Sequence, residues 1–115
     1  MKIYHNPKCS KCRATMRILS ENGEDPMVVD YLHTPLNLEE LTDVLTKLGG
    51  EAQQMIRFKE AVALDLGLTS DDSRSTTEWL ELIVANPSLL QRPIVVDADR
   101  AVIGRPPEAV LDLVD

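Results

Sequence analysis

The sequence predicts an α/β fold. Its mixed sheet comes from a β–α–β unit at the start and a β–β–α unit at the end, with a helical insertion between strands 2 and 3. Three observations carry this. Short apolar or β-branched runs lie near the two ends of the chain, over 2–4, 27–32, 94–96 and 101–103. The middle instead repeats apolar residues at helical spacing. Both cysteines, Cys9 and Cys12, stand in a C-x-x-C at the junction of the first strand and first helix.

The elements follow in order. Residues 2–4 are a short strand stopped by Pro7, and a helix over 10–21 ends at Asn22-Gly23. Residues 27–32 (M-V-V-D-Y-L) form the second strand, so the first two strands are a parallel pair with a right-handed crossover. Thr34-Pro35 breaks the pattern. Asn37 and Glu40 have the spacing of a capping box. Leu38, Leu41, Val44, Leu45 and Leu48 then line one helical face up to Gly49-Gly50. A helical turn over 51–55, an irregular stretch over 56–59 and a short helix over 60–66 closed by Gly67 come next. After a polar loop over 69–74, Ser75 and Glu78 repeat the capping spacing, with Trp79, Leu80, Ile83 and Val84 facing inward until Asn86-Pro87. Ile94-Val95-Val96 and the run over 101–103 pair as a hairpin. Pro106-Pro107 opens a last helix with Ala109, Val110, Leu113 and Val114 inward.

Length and composition bound the rest. The 115 residues suit one domain, 1–115, with a real core. With 43% hydrophobic but only 3% aromatic residues, that core must be Leu, Val, Ile, Ala and Met. No window approaches 18 consecutive apolar residues, so no membrane span is expected. No secretory signal pattern opens the chain, which points to a cytoplasmic, reducing compartment. A net charge of −7 argues against nucleic acid as a partner.

Against that acidic background, the first twenty residues carry +5, from Lys2, Lys8, Lys11, Arg13 and Arg17, with no carboxylate before Glu21. The positive charge surrounds the only thiols. Cys9 falls at the helix start, where free N–H groups and the helix dipole favour an anion. An ordinary thiol of pKa ~8.5 is roughly 3% thiolate at pH 7, and a drop of about two units makes thiolate the majority form, a gain of about 2.7 kcal/mol for the charged state. Cys9 is therefore the candidate nucleophile. Cys12 shares a helical stripe with Thr15, Met16 and Leu19, so it points toward the core while staying within reach of Cys9. That is the placement of a resolving thiol, and equally of an inert packing residue. Zinc is not expected, since it needs four ligands and only His5 and His33 could add to the pair.

A C-x-x-C at the first β–α junction of this element order gives a thioredoxin-like topology. In that fold a cis-proline precedes the third strand and faces the active cysteine, and Pro93 occupies that place.

The chain also resembles the glutaredoxin-coupled arsenate reductase family along its whole length. The residues responsible are His5-Asn6-Pro7-Lys8-Cys9, Tyr31-Leu32-His33-Thr34-Pro35, Asn86-Pro87 with Gln91-Arg92-Pro93-Ile94-Val95-Val96, and Gly104-Arg105-Pro106. The resemblance implies that Cys9 attacks arsenate or a similar oxyanion. It implies that Arg57, Arg92 and Arg105 clamp the anion, and that His5, Ser10, Arg13 and Pro93 support the site. It further implies glutathione as co-substrate, glutaredoxin or thioredoxin as reductant, no bound cofactor, and a monomer. Guanidinium suits the task, because its planar fork meets a tetrahedral oxyanion with paired hydrogen bonds. One departure stands out. Typical members read C-G-T-S-R where this chain has Cys9-Ser10-Lys11-Cys12-Arg13. The C-S-K-C-R run is similar to Spx-type regulators, which bind RNA polymerase and sense disulfide stress. A redox-sensing regulator and a general thiol–disulfide oxidoreductase are thus the alternatives.

Overall fold

The computed structural model describes residues 1–114, which fold as two compact units. One comprises Met1–Thr34 together with the chain from Arg92 onward, and the other Pro35–Gln91.

The first unit holds a four-stranded sheet of β1 (Lys2–His5), β2 (Met27–Asp30), β3 (Ile94–Asp97) and β4 (Arg100–Ile103). The strand order is β2-β1-β3-β4. β1 and β2 are parallel, whereas β3 runs antiparallel to both β1 and β4. Helix α1 (Ser10–Glu21) makes the β1-to-β2 crossover. The mixed thioredoxin-like sheet expected from the sequence is thus present. Its core joins Ile3, Leu19, Val95, Val110 and Leu113, all essentially inaccessible to solvent. Burying each such side chain contributes about 1.5–3 kcal/mol before entropic costs.

Two boundaries differ from expectation. β2 ends at Asp30, not at residue 32. The Asp30 carboxylate accepts from Leu32 N at 3.1 Å, and its carbonyl from His33 N and Thr34 N, which turns the chain out of the sheet. Asp and Asn side chains commonly divert a backbone in this way. The closing segment, Pro107–Leu113, is a 3-10 helix rather than an α-helix. Its buried residues are Pro107, Val110 and Leu113, spaced three apart, which matches the three-residue turn of that helix. Ala109 and Val114 are only half-buried.

In the second unit are α2 (Leu38–Leu48), a 3-10 turn (Ala52–Met55), α3 (Ala61–Asp65), α4 (Thr76–Ala85) and a second 3-10 turn (Pro87–Leu89). Both anticipated capping boxes form. Asn37 Oδ1 accepts from Glu40 N at 2.8 Å and Ser75 Oγ from Glu78 N at 3.1 Å, while each glutamate accepts from the backbone N–H of its cap residue. Gly49 closes α2 at φ 71°, a left-handed conformation that favours glycine. The core includes Leu41, Val44, Trp79, Leu80 and Ile83, with Phe58 edge-on to Trp79 at 5.8 Å. Val84, expected inward, is exposed.

Candidate active site

Cys9 is the N-cap of α1, with extended backbone (φ −89°, ψ 122°) and no side-chain cap bond of its own. The preceding loop is tied by Asn6. Its carbonyl accepts from Cys9 N at 2.9 Å, and its side chain accepts from Lys8 N at 3.0 Å. The Cys9 sulfur therefore lies over the free amides of the first helical turn. Burial raises its pKa, but the backbone amide of Cys12, the Cys12 thiol, the Arg92 side chain and the backbone amide of Lys11 favour the charged form and outweigh that, so the net shift is downward. The Arg105 Nη2 lies 3.7 Å from the sulfur.

Cys12 is 0% exposed. Burial, with the hydrogen bond and charge of Cys9 adding to it, pushes its thiol up to about 12, against an opposing bond from Asn6 N at 3.5 Å. The two cysteines are thus strongly unequal, with the charged form favoured at Cys9 and opposed at Cys12.

Arg92 and Arg105 come together through backbone register. Ile94 pairs with Ile103, and the same alignment carries Gly104 N to Pro93 O at 2.9 Å and Arg105 Nε to Arg92 O at 2.7 Å. The Arg92-Pro93 peptide is cis, as the topology led us to expect, and Arg105-Pro106 is cis as well.

The other expected residues fall as follows. Arg57 belongs to the second unit, where its Nε lies 3.3 Å from Glu60 and its backbone N–H donates to Leu89 O at 2.7 Å. Arg13 Nη1 donates to the Pro7 carbonyl at 3.0 Å, bracing the loop ahead of Cys9. Ser10 is exposed at the first position of α1. Burial lowers the His5 pKa, Asp30 opposes the shift and Arg13 adds to it, so the neutral imidazole is favoured, and its buried Nδ1 has no hydrogen-bond partner among the described residues.

Three residues not singled out for the site also bear on it. Thr15 is fully buried, and its Oγ1 has no hydrogen-bond partner among the described residues. A Cβ on Gly104 would sit 2.7 Å from that oxygen and 2.8 Å from Pro93 Cγ, so the close approach of α1 to the Arg92–Arg105 turn requires glycine. The fully buried Tyr31 feels Arg92, Cys12 and Asn6, and burial raises its pKa. The helical stripe signalled burial of Thr15, and Tyr31 and Gly104 stood in the motifs that carry the family resemblance, but nothing local showed what they pack against. Among the described residues no cluster of metal-ligating side chains occurs, and no helix is long and apolar enough to cross a membrane.

A thioredoxin-like fold with a helix-start cysteine of lowered pKa, a buried second thiol and two arginines beside them defines the class of thiol oxidoreductases. The ArsC family model matches residues 4–113, and the chain belongs to the ArsC family. It is 48% identical over 115 residues to the uncharacterized protein YfgD of Escherichia coli, covering 99% of this chain and 96% of that one. It is 42% identical over 111 residues to an arsenate reductase of Neisseria meningitidis, covering 96% and 94% of the two chains. Among solved structures, the arsenate reductase from Vibrio cholerae superimposes with a TM-score of 0.89 at 42% identity, covering 96% of this chain and 94% of that one.

Proposed function

We propose that this chain reduces arsenate, or a tetrahedral oxyanion like it, through Cys9. The observation that carries the reading is the Cys9 sulfur at the start of α1, 3.7 Å from Arg105 and hydrogen-bonded by Arg92. An anion attacked there meets the same guanidinium groups and helix amides that favour the thiolate. Arg57 is retained as a third clamp residue on the family resemblance.

The chemistry runs in two steps. The Cys9 thiolate attacks arsenic(V), an arsenic oxygen leaves as water, and a sulfur–arsenic bond forms. A second thiol then attacks the Cys9 sulfur. A disulfide forms, the sulfur–arsenic bond breaks with its electron pair left on arsenic, and arsenic(III) departs. That second thiol is Cys12 or glutathione, and glutaredoxin or thioredoxin supplies the electrons for the next cycle. The reading calls for no bound cofactor, nucleic acid or membrane, and operates in a monomer. It calls for a reducing cytoplasm, because Cys9 must enter each cycle free.

The test is arsenate turnover with glutathione and glutaredoxin, with phosphate and sulfate as competitors. Cys9→Ser should be inactive. Full activity in a variant with Arg57, Arg92 and Arg105 all replaced by alanine would remove the clamp. Arg57→Ala alone decides whether that residue belongs to it.

A further inference from the structure

We propose that this protein is returned to its reduced state by a dithiol and not by a monothiol, because Cys12 lies against Cys9 and displaces any monothiol that becomes attached there. The inference rests on the reading of Cys9 as nucleophile and specifies the reductant that the site accepts.

Three observations support it. Cys12 is 0% exposed, while Cys9 is half-buried, so a disulfide between them presents only the Cys9 sulfur to an incoming thiol. Cys9 caps α1 three residues before Cys12, and the Cys12 thiol is near enough to favour the charged form of Cys9. Asn6 N, 3.5 Å from the Cys12 sulfur, offers a hydrogen bond to the thiolate that forms when the disulfide opens.

The exchange balances as follows. A reductant thiolate attacks the Cys9 sulfur, a Cys9–reductant disulfide forms, the Cys9–Cys12 bond breaks, and Cys12 leaves as a thiolate that takes up the proton released by the reductant. With a monothiol, the fastest next event is the reverse. Cys12 attacks Cys9 again and expels the reductant, since a thiol held in place competes at effective concentrations far above millimolar. The hydrogen bond and charge of Cys9 that helped keep Cys12 protonated are absent from the adduct, so Cys12 ionises more readily there than in the reduced protein although it stays buried, and the thiolate it forms is a strong nucleophile. A dithiol has another route. Its second sulfur attacks its own first sulfur, closes the reductant's disulfide and releases Cys9. That leaving group is favoured, because Arg92 and the helix amides stabilise the departing thiolate.

The experiment needs no oxyanion. Wild-type protein is oxidised with diamide, and loss of two hydrogens by mass reports the internal disulfide. Recovery of both thiols is then timed with dithiothreitol and, at equal thiol concentration and pH, with glutathione and 2-mercaptoethanol. Cys12→Ser carrying glutathione on Cys9 provides the reference, because monothiols can finish exchange there. The dithiol-to-monothiol rate ratio should be at least about tenfold larger in wild type than in Cys12→Ser, and only the variant should accumulate a glutathione adduct. Equal ratios, an equal yield of adduct in both proteins, or no internal disulfide after diamide would each overturn the proposal. Absence of arsenate turnover beside a positive result here would overturn the oxyanion reading alone.

Discussion

Arg105→Lys preserves the charge beside Cys9 and removes the fork. In the native site one nitrogen of Arg105 holds the Arg92 carbonyl at 2.7 Å while another lies 3.7 Å from the Cys9 sulfur. Lysine ends in a single nitrogen and cannot serve both. A hydrogen bond to a charged group contributes about 1.5–3 kcal/mol. The separation from sulfur is long and Arg105 is only half-buried, so the low end applies. About 1.5 kcal/mol corresponds to roughly one pKa unit. The sign follows from the direction of the native shift. Cys9 is depressed, so its thiolate survives as pH falls below the ordinary thiol range and is lost only on passing through the depressed value. Arg105→Lys should move that loss upward by about one unit. The assay is the pH dependence of alkylation by iodoacetamide, a neutral reagent, with the modified cysteine located by mass spectrometry. Cys12 is fully buried and should contribute nothing in the folded protein. Iodoacetate adds a second readout, since its preference over iodoacetamide reports the positive field and should fall in Arg105→Ala. If wild type and Arg105→Lys share one alkylation midpoint, Arg105 does not hold the thiolate.

Gly104→Ala forces a methyl group to 2.7 Å from Thr15 Oγ1 and 2.8 Å from Pro93 Cγ. Overpacking of this kind costs about 1–3 kcal/mol, and it should displace Arg105 enough to move the Cys9 alkylation midpoint toward that of a free thiol. Adding Thr15→Ala should recover part of both losses, as read by chemical denaturation and the same alkylation profile, and no recovery would mean Pro93 alone sets the limit. Leu19→Ala, in the core of the sheet-containing unit, should lower unfolding free energy by about 2–5 kcal/mol in denaturant titration, and a loss well below that would mean the site collapses around the cavity.

The fold was legible where local chemistry is unambiguous. Capping spacings at Asn37 and Ser75 gave two helix starts, and β-branched runs gave β3 and β4. The end of β2 was not legible, because Val28 through Leu32 reads as one strand until the Asp30 side chain turns back onto the chain that follows. The 3-10 helix was missed for a related reason. Its core residues fit a three-residue period, but the neighbouring Ala109 and Val114 make a four-residue period equally readable. At the site, the helix-start position of Cys9 and the downward direction of its pKa were legible, because the helix start and the clustered cations are local features. Thr15, Gly104 and Tyr31 matter through contacts with residues far away in sequence, and a sequence shows such contacts only once the register is known.

That register explains why two arginines thirteen positions apart act on one sulfur. β3 runs antiparallel to β1, so the start of β3 lies at the end of the sheet where β1 delivers the chain toward Cys9. β4 runs antiparallel to β3, so the end of β4 returns to the same edge. Arg92 lies two residues before β3 and Arg105 two residues after β4, which makes them the next partners beyond Ile94 and Ile103 once Pro93 and Gly104 are paired. The β3–β4 turn has two residues, Ala98 and Asp99, with Ala98 in the left-handed region at φ 55°, and it fixes this alignment from the opposite end of the hairpin. Lengthening that turn by one residue would slip the pairing and send alternate side chains to the other face. Arg105 would then leave the Cys9 sulfur although no residue near the sulfur had changed. The activation of the thiol therefore depends on a turn at the far end of the sheet as well as on the charges clustered beside it.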